Sequence, residues 1–213
     1  MKRFYEKYKR IIRLLKTAEN VEQLEAAREE IAEVLPKVRV MFGYDQQNHT
    51  HKYDLWTHSL HVVINLPRNM DDDLMYLAAL LHDIGKPSCQ VFDTKDGKVN
   101  MHYPGHPQKS REIVANEVIP DLNKKGIHLS REQVRRLLYY VEYHDDQMSL
   151  RMKSIVRHAE MVPIGEFKNL MILQIADAKA HVLLPMVQKR IEVCTTLLGE
   201  YSDEAYARVR ERK

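Results

Sequence analysis

The chain has 213 residues, 44% of them apolar and 30% charged, with a formal net charge of only +3. That is enough apolar material for one real core and too little net charge for a nucleic-acid polycation, although a slightly basic surface suits phosphate-bearing ligands. Cys89 and Cys194 give neither a disulfide framework nor zinc-finger spacing. The N-terminal MKRFYEKYKR lacks a signal peptide's apolar core, and no uncharged apolar run is long enough to span a bilayer. A cytoplasmic protein without a membrane partner is expected.

Gly (7) and Pro (8) are scarce, and most of the chain reads as helix. Residues 2–16 carry Phe4, Tyr8, Ile11, Ile12 and Leu15 on one face. Asn20 is the N-cap of a second helix, with Gln23 at the capping-box position and Leu24, Ile31 and Val34 facing inward. Residues 42–53, FGYDQQNHTHKY, read as a loop. Asp54 caps a helix to about Leu66, with Leu55, His58, Val62 and Leu66 on one face. After Pro67 and Asp71-Asp72-Asp73, an apolar helix from Leu74 to Leu81 runs into LHDIGKP, where Gly85 and Pro87 end it. Residues 89–103 read as a short hairpin turning at Asp96-Gly97. Helix resumes after His106-Pro107, with Pro107 at a tolerated first-turn position. Ser130 and Gln133 form a capping box for a helix with Val134, Leu137, Leu138 and Val141 that ends near His144. A shorter helix covers 151–160. Residues 164–183 hold Phe167, Leu170, Met171, Gln174, Asp177, Ala178 and His181 at helical spacing. One more amphipathic helix, with Ile191, Cys194, Leu197 and Leu198, precedes a polar end.

Five segments place metal-ligand types at helix ends or on helix faces: His58, His82-Asp83, His106, His144 and Asp177. Imidazole with carboxylate suits Mn, Fe, Co, Ni or Zn, whereas Mg and Ca prefer all-oxygen sites. Taken singly, each residue has an ordinary explanation. A histidine on an apolar face is most often a satisfied core residue. Asp177, in MILQIADAKA, needs a buried partner, and a lysine or arginine would serve. His106 can cap a helix, and His144 lies in the acidic helix end EYHDD. His102, His128, His158 and His181 carry no claim. His49 and His51 either line a pocket or are solvated.

The ordered set says more than its members. From about residue 45 to 183 the chain resembles the HD-domain superfamily of metal-dependent phosphohydrolases, whose pattern H…HD…D is matched by His58, His82, Asp83 and Asp177. It most resembles the HD domain attached to bacterial CCA-adding tRNA nucleotidyltransferases and small stand-alone relatives. The resemblance runs through QQNHTHKYDLWTHSLHVV, LAALLHDIGKP, YPGHPQKSREIVANEV, LYYVEYHDD and KSIVRHAEMVPIGEFKNLMILQIADAKA. Pro107 departs from the acidic residue such relatives often carry. No nucleotidyltransferase domain accompanies the motifs, so CCA addition is not expected. The implied fold is an all-α HD-domain helical bundle with one short β-hairpin. Residues 41–213 would form this domain with its C-terminal helix. Residues 1–40 would be an N-terminal helical extension, packed on the domain or used in homodimerisation.

The resemblance implies that His58, His82, Asp83 and Asp177 hold one ion, and that Asp83 bridges to a second if His106 and His144 complete that site. One or two divalent transition ions would activate water for attack on phosphorus. Lys86 would reach a phosphate oxygen as a point charge, or simply face the helix C-terminal dipole. Asn48 and His51 would contact substrate if their loop folds over the pocket, and Arg157 is a further phosphate candidate. Asp145 and Asp146 would orient His144. The expected activity is hydrolysis of a phosphate ester, a nucleotide monoester or a 2′,3′-cyclic phosphodiester. A di-iron HD-type oxygenase and a non-catalytic nucleotide-sensing module are the alternatives. RNA stays in view as a partner, but no basic-aromatic stripe supports a surface for it.

Overall fold

The computed structural model describes residues 2–47, 50–68, 70–95 and 98–211. The architecture is all-α apart from one hairpin. Among the described residues no helix is long and apolar enough to cross a membrane.

The N-terminal segment forms α1 (Lys2–Thr17), α2 (Val21–Ala26), α3 (Arg28–Val34) and a 3-10 turn (Pro36–Met41). Asn20 caps α2 by accepting from the Gln23 amide. The helix expected to run on from there breaks at Ala27, whose φ/ψ of −97°/8° is not helical. Leu24, Ile31 and Val34 are buried all the same. Ile11, Leu15, Leu24, Ile31 and Val38 enter the same hydrophobic core as the helices that follow. Trp56 anchors the segment from the other side, donating to Glu25 at 2.6 Å and meeting Phe42 edge-on.

At the centre stands α5 (Asp73–Leu81), started by the Asp72 cap and buried from Leu74 through Leu81. A helix apolar on every face has to be surrounded. α1, α4 (Leu55–Asn65), α8 (Arg131–Tyr143) and α10 (Ile164–Lys179) pack around it. Asp54 caps α4 and the Ser130–Gln133 capping box opens α8, both as expected. β1 (Val91–Lys95) and β2 (Lys98–His102) pair antiparallel from Val91↔His102 to Lys95↔Lys98. The turn expected at Asp96-Gly97 lies outside the described residues. After α6 (His106–Ile113) the chain widens into a π-helical stretch (Val114–Val118) and closes with α7 (Ile119–Lys124). α9 (Met152–Met161) follows α8.

The C-terminal third departs from expectation twice. α10 stops at Lys179, so His181 is not helical. It forms a lone antiparallel bridge with His51, and the Val182 amide donates to the Thr50 carbonyl at 2.9 Å. Beyond α11 (Pro185–Leu198) the polar end is itself a helix, α12 (Glu200–Arg210), burying Ala205, Tyr206 and Val209.

Candidate metal centre

His82 and Asp83 follow directly on the last turn of α5, where the chain leaves the helix toward Gly85. Gly85 fixes what comes next. A Cβ there would meet the Ser110 amide nitrogen at 2.5 Å and the His106 carbonyl oxygen at 2.9 Å, so only glycine lets this turn press against the first turns of α6. Its amide also donates to Ser110 Oγ at 2.9 Å. That docking carries His106, the first residue of α6, toward Asp83. Gly105 precedes it in the left-handed conformation at φ +74°.

Four other elements complete the cluster. α4 supplies His58, the end of α8 supplies His144, α10 supplies Asp177, and the chain after α10 supplies His181. His58, His82, Asp83, His144 and Asp177 are buried, and His106 is partly so.

The donor atoms fall into three overlapping groups: His58, His82 and Asp83; Asp83, His106 and His144; and His58, Asp177 and His181, so that Asp83 joins the first two and His58 the first and third. His58 Nε2 lies 3.1 Å from Asp177 Oδ1 and 3.6 Å from Asp83 Oδ2, and His82 Nε2 lies 3.1 Å from Asp83 Oδ2 and 3.7 Å from Asp177 Oδ1. The other oxygen, Asp83 Oδ1, is 3.1 Å from His106 Nε2 and 3.3 Å from His144 Nε2, and those two nitrogens are 3.3 Å apart. Around an ion with ligand distances of about 2.1 Å, neighbouring donors sit roughly 3.0 Å apart at a right angle and roughly 3.4 Å apart at a tetrahedral angle. The separations among Asp83, His106 and His144 all match these spacings; among His58, His82, Asp83 and Asp177 two match at 3.1 Å and two, at 3.6 and 3.7 Å, are wider.

Hydrogen bonding prepares the same atoms. The Nδ1 atoms of His82, His106 and His144 lie 2.7–2.9 Å from the carbonyls of Ala79, Tyr103 and Val141, each three residues back. A carbonyl only accepts, so each Nδ1 carries the proton and each Nε2 turns a lone pair inward, the usual way a ligating histidine is oriented. His58 Nε2, His82 Nε2, Asp83 Oδ1 and Asp177 Oδ1 are buried without a hydrogen bond of normal geometry. Orphaned polar atoms are costly in an interior. His58 Nε2, His82 Nε2 and Asp177 Oδ1 face one half of the cluster and Asp83 Oδ1 faces the other, and imidazole with carboxylate donors fits a divalent transition ion.

The electrostatics agree. Burial holds His58 down at about 4 against the pull of Asp177, and lowers His144 against that of Asp83. Burial lowers His82 too, but the Asp83 carboxylate outweighs it and the net shift is upward. Burial would raise both carboxyls. Instead His82 and Lys86 hold Asp83 well below the usual range, and His181, His58 and Arg190 do the same for Asp177.

Lys86 is buried beside the cluster, 2.6 Å from Asp83 Oδ2, 2.8 Å from Gln46 Oε1 and 3.0 Å from His51 Nε2. Burial and this ammonium push His51 down to about 2, so it is neutral and accepts from Lys86. The cleft above has a volume of about 460 Å³ and is lined by Asp83, Asp177, Lys86 and His51 together with Tyr103 and Arg190.

Not every expected residue arrives. Asn48 lies outside the described residues, as does His49. Arg157 is not on the cleft; it donates to Asp146 at 2.5 Å and covers the Tyr143 ring. Asp145 and Asp146 do not orient His144, whose Nδ1 faces Val141. Asp145 faces Arg190, and Asp146 accepts from Arg157 and meets His158, which in turn reaches the Tyr139 hydroxyl. Besides Gln46 and Tyr103, His181 and Arg190 join the site unannounced. His181, four residues after Asp177, places Nδ1 3.6 Å from Asp177 Oδ1, and Arg190 of α11 donates to Asp177 Oδ2 at 3.2 Å. The signal for Arg190 was a basic residue on the inward stripe of an amphipathic helix, four and seven positions before the buried Cys194 and Leu197.

A family model for the HD domain matches residues 49–180, more than half of the chain. The chain is 26% identical over 152 residues to a CC-adding tRNA nucleotidyltransferase of Thermus thermophilus, covering 68% of this chain and 32% of that protein. It is 28% identical over 148 residues to an A-adding tRNA nucleotidyltransferase of Deinococcus radiodurans, with the same coverage of 68% and 32%. The matched segment thus spans about a third of the length of each relative.

Proposed function

The chain belongs to the HD domain family, and on that premise we propose that it is a metal-dependent phosphohydrolase acting on a small phosphate ester, a nucleotide monoester or a 2′,3′-cyclic phosphodiester. The observation that carries this reading is the split of Asp83: one oxygen faces His58 and His82, the other faces His106 and His144. With Asp177 closing the first group, these residues hold one or two ions among Mn, Fe, Co, Ni and Zn. Such ions, when bound, supply an acidified water and a Lewis acid for the phosphoryl oxygens.

The chain's own part is positioning and charge. Lys86 sets a cation at the cleft floor, held by Gln46 and His51, where it would attract a phosphate oxygen of the substrate as a point charge. The cleft volume of about 460 Å³ lies within the range of roughly 300–1,000 Å³ typical of small-molecule sites. The relatives' names, both tRNA nucleotidyltransferases, support a nucleotide-like ester. Residues 1–40 serve as a helical extension packed on the domain of residues 41–213.

Metal analysis of protein purified without chelator, followed by a panel of nucleotide monoesters, cyclic phosphodiesters and simple phosphate esters, tests the proposal. Hydrolysis of at least one nucleotide ester is expected, abolished by chelator and restored by Mn²⁺, Co²⁺ or Ni²⁺. Metal-loaded protein that hydrolyses none of them overturns it. Oxygen consumption with a visible iron spectrum would then favour the di-iron oxygenase, and nucleotide binding without turnover the sensing module.

A further inference from the structure

Arg190 lies ten residues beyond the segment that matches the family model, on α11, yet its guanidinium touches both halves of the cluster. Nη1 donates to Asp177 Oδ2 at 3.2 Å and lies 3.4 Å from Asp145 Oδ1. Nη2 donates to the His144 carbonyl at 2.5 Å. A quarter of the side-chain surface stays accessible, on the cleft wall.

Each contact settles something about a candidate ligand. Asp177 has two oxygens and a freely turning carboxylate. With Oδ2 engaged by Arg190, Oδ1 is left facing His58 and His82, where it has no hydrogen bond of its own. The His144 carbonyl is one of the four at the end of α8 that no helical amide can reach. With Nη2 on that carbonyl and Val141 on Nδ1, the residue is fixed at both its backbone and its ring, and Nε2 is held toward Asp83. One planar fork reaching a carboxylate and a carbonyl is something a lysine, as a single point donor, cannot reproduce.

We propose that Arg190 is a positioning residue of the metal centre, holding Asp177 of one half-site and His144 of the other at once, so that α11 completes a site whose ligands all lie within the matched segment. This rests on the reading of the cluster as a metal site. The residue acts through ligands and is not itself one.

The test is Co²⁺ titration of the chelator-stripped 213-residue chain, followed by the visible Co²⁺ absorption, for the parent chain, Arg190→Lys, Arg190→Gln and Lys189→Gln. Outer partners of metal ligands typically govern about 10- to 100-fold in affinity. Arg190→Lys and Arg190→Gln are expected to lose Co²⁺ affinity in that range and to alter the absorption band, while both still melt cooperatively. Lys189→Gln, a change at the exposed neighbouring position, should bind as the parent does. Rescue of affinity and spectrum by Arg190→Lys would reduce the effect to charge and overturn the proposal. Unchanged binding in both variants overturns it as well. So does an Arg190→Lys chain that no longer folds, since Arg190 would then belong to the fold and not to the site. A parent chain that binds no Co²⁺ defeats the metal reading itself, which separates that failure from this one.

Discussion

Asp83→Ala, made alone and together with Lys86→Met, probes a carboxylate that faces four imidazoles and the Lys86 ammonium. In metal-free protein Lys86 is 4% exposed, and its ammonium sits 2.6 Å from Asp83 Oδ2. Removing the carboxylate leaves that cation with two neutral acceptors, Gln46 Oε1 at 2.8 Å and His51 Nε2 at 3.0 Å. Deleting one partner of a buried pair costs about 3–5 kcal/mol, because the other charge stays buried and uncompensated. The two surviving acceptors place the expected loss at the lower end, about 3 kcal/mol. At roughly 2–4 °C per kcal/mol for a chain of this size, Tm should fall by about 6–12 °C. The double variant removes the stranded ammonium as well and should recover most of that loss. The assay is urea unfolding of chelator-treated protein followed by far-UV circular dichroism, with thermal melts alongside. Metal counting on Asp83→Ala should show both ions gone, because this carboxylate faces both imidazole pairs. A chelated Asp83→Ala as stable as the parent, with no gain in the double variant, would refute the pairing argument. Two ions retained per chain would refute the shared carboxylate.

His106→Ala and His144→Ala should each lose roughly one ion per chain under the two-ion arrangement, as read by elemental analysis; no loss in either would leave a one-metal site. Gly85→Ala forces a methyl onto backbone atoms of α6 at 2.5–2.9 Å. It should cost about 1–3 kcal/mol by overpacking and draw His106 away from Asp83, so a lowered melting temperature should come with loss of the His106–His144 ion. Burial pushes the Cys194 thiol up to about 11, so in folded protein it should stay unreactive toward a disulfide reagent through pH 9 while the partly exposed Cys89 reacts. Equal rates for the two would contradict the packing of α11.

The helices were legible where apolar spacing and caps coincide. Asp54, Ser130 with Gln133, and Asn20 each start a helix where their side chains accept from the amide three residues on. Spacing, however, reports which face is buried and not whether the axis is straight. Leu24, Ile31 and Val34 are buried whether or not the helix breaks at Ala27, so nothing in the pattern marked the break. The end of α10 was hidden for a different reason. His181 continues the helical spacing of Asp177, but the chain leaves the helix to pair with Thr50 and His51, a partner some 130 positions away that no local window contains. α12 looked like a polar tail because Ala205, Tyr206 and Val209 are few among charges, yet all three are buried and the Tyr206 ring packs against Phe167.

The candidate site divides along the same line. His58, His82, Asp83, His106, His144 and Asp177 stand at helix ends or on helix faces, where burial creates a need for a partner, but singly each has an ordinary explanation, and it is their ordered resemblance to the HD pattern that singles them out. Which partner meets that need is decided by packing. Arg157 and Arg190 make the contrast. Both are basic residues on amphipathic helices, and both sit near a carboxylate of the His144 segment. Arg157 is spent on Asp146 at the surface side of α9, whereas Arg190 is turned inward by Val187, Cys194 and Leu197 along its helix and so reaches Asp177. A charge on the apolar stripe of a helix is therefore the stronger sign of a role in the site than a charge close in sequence to a candidate ligand, because only the former must find its counter-charge in the interior.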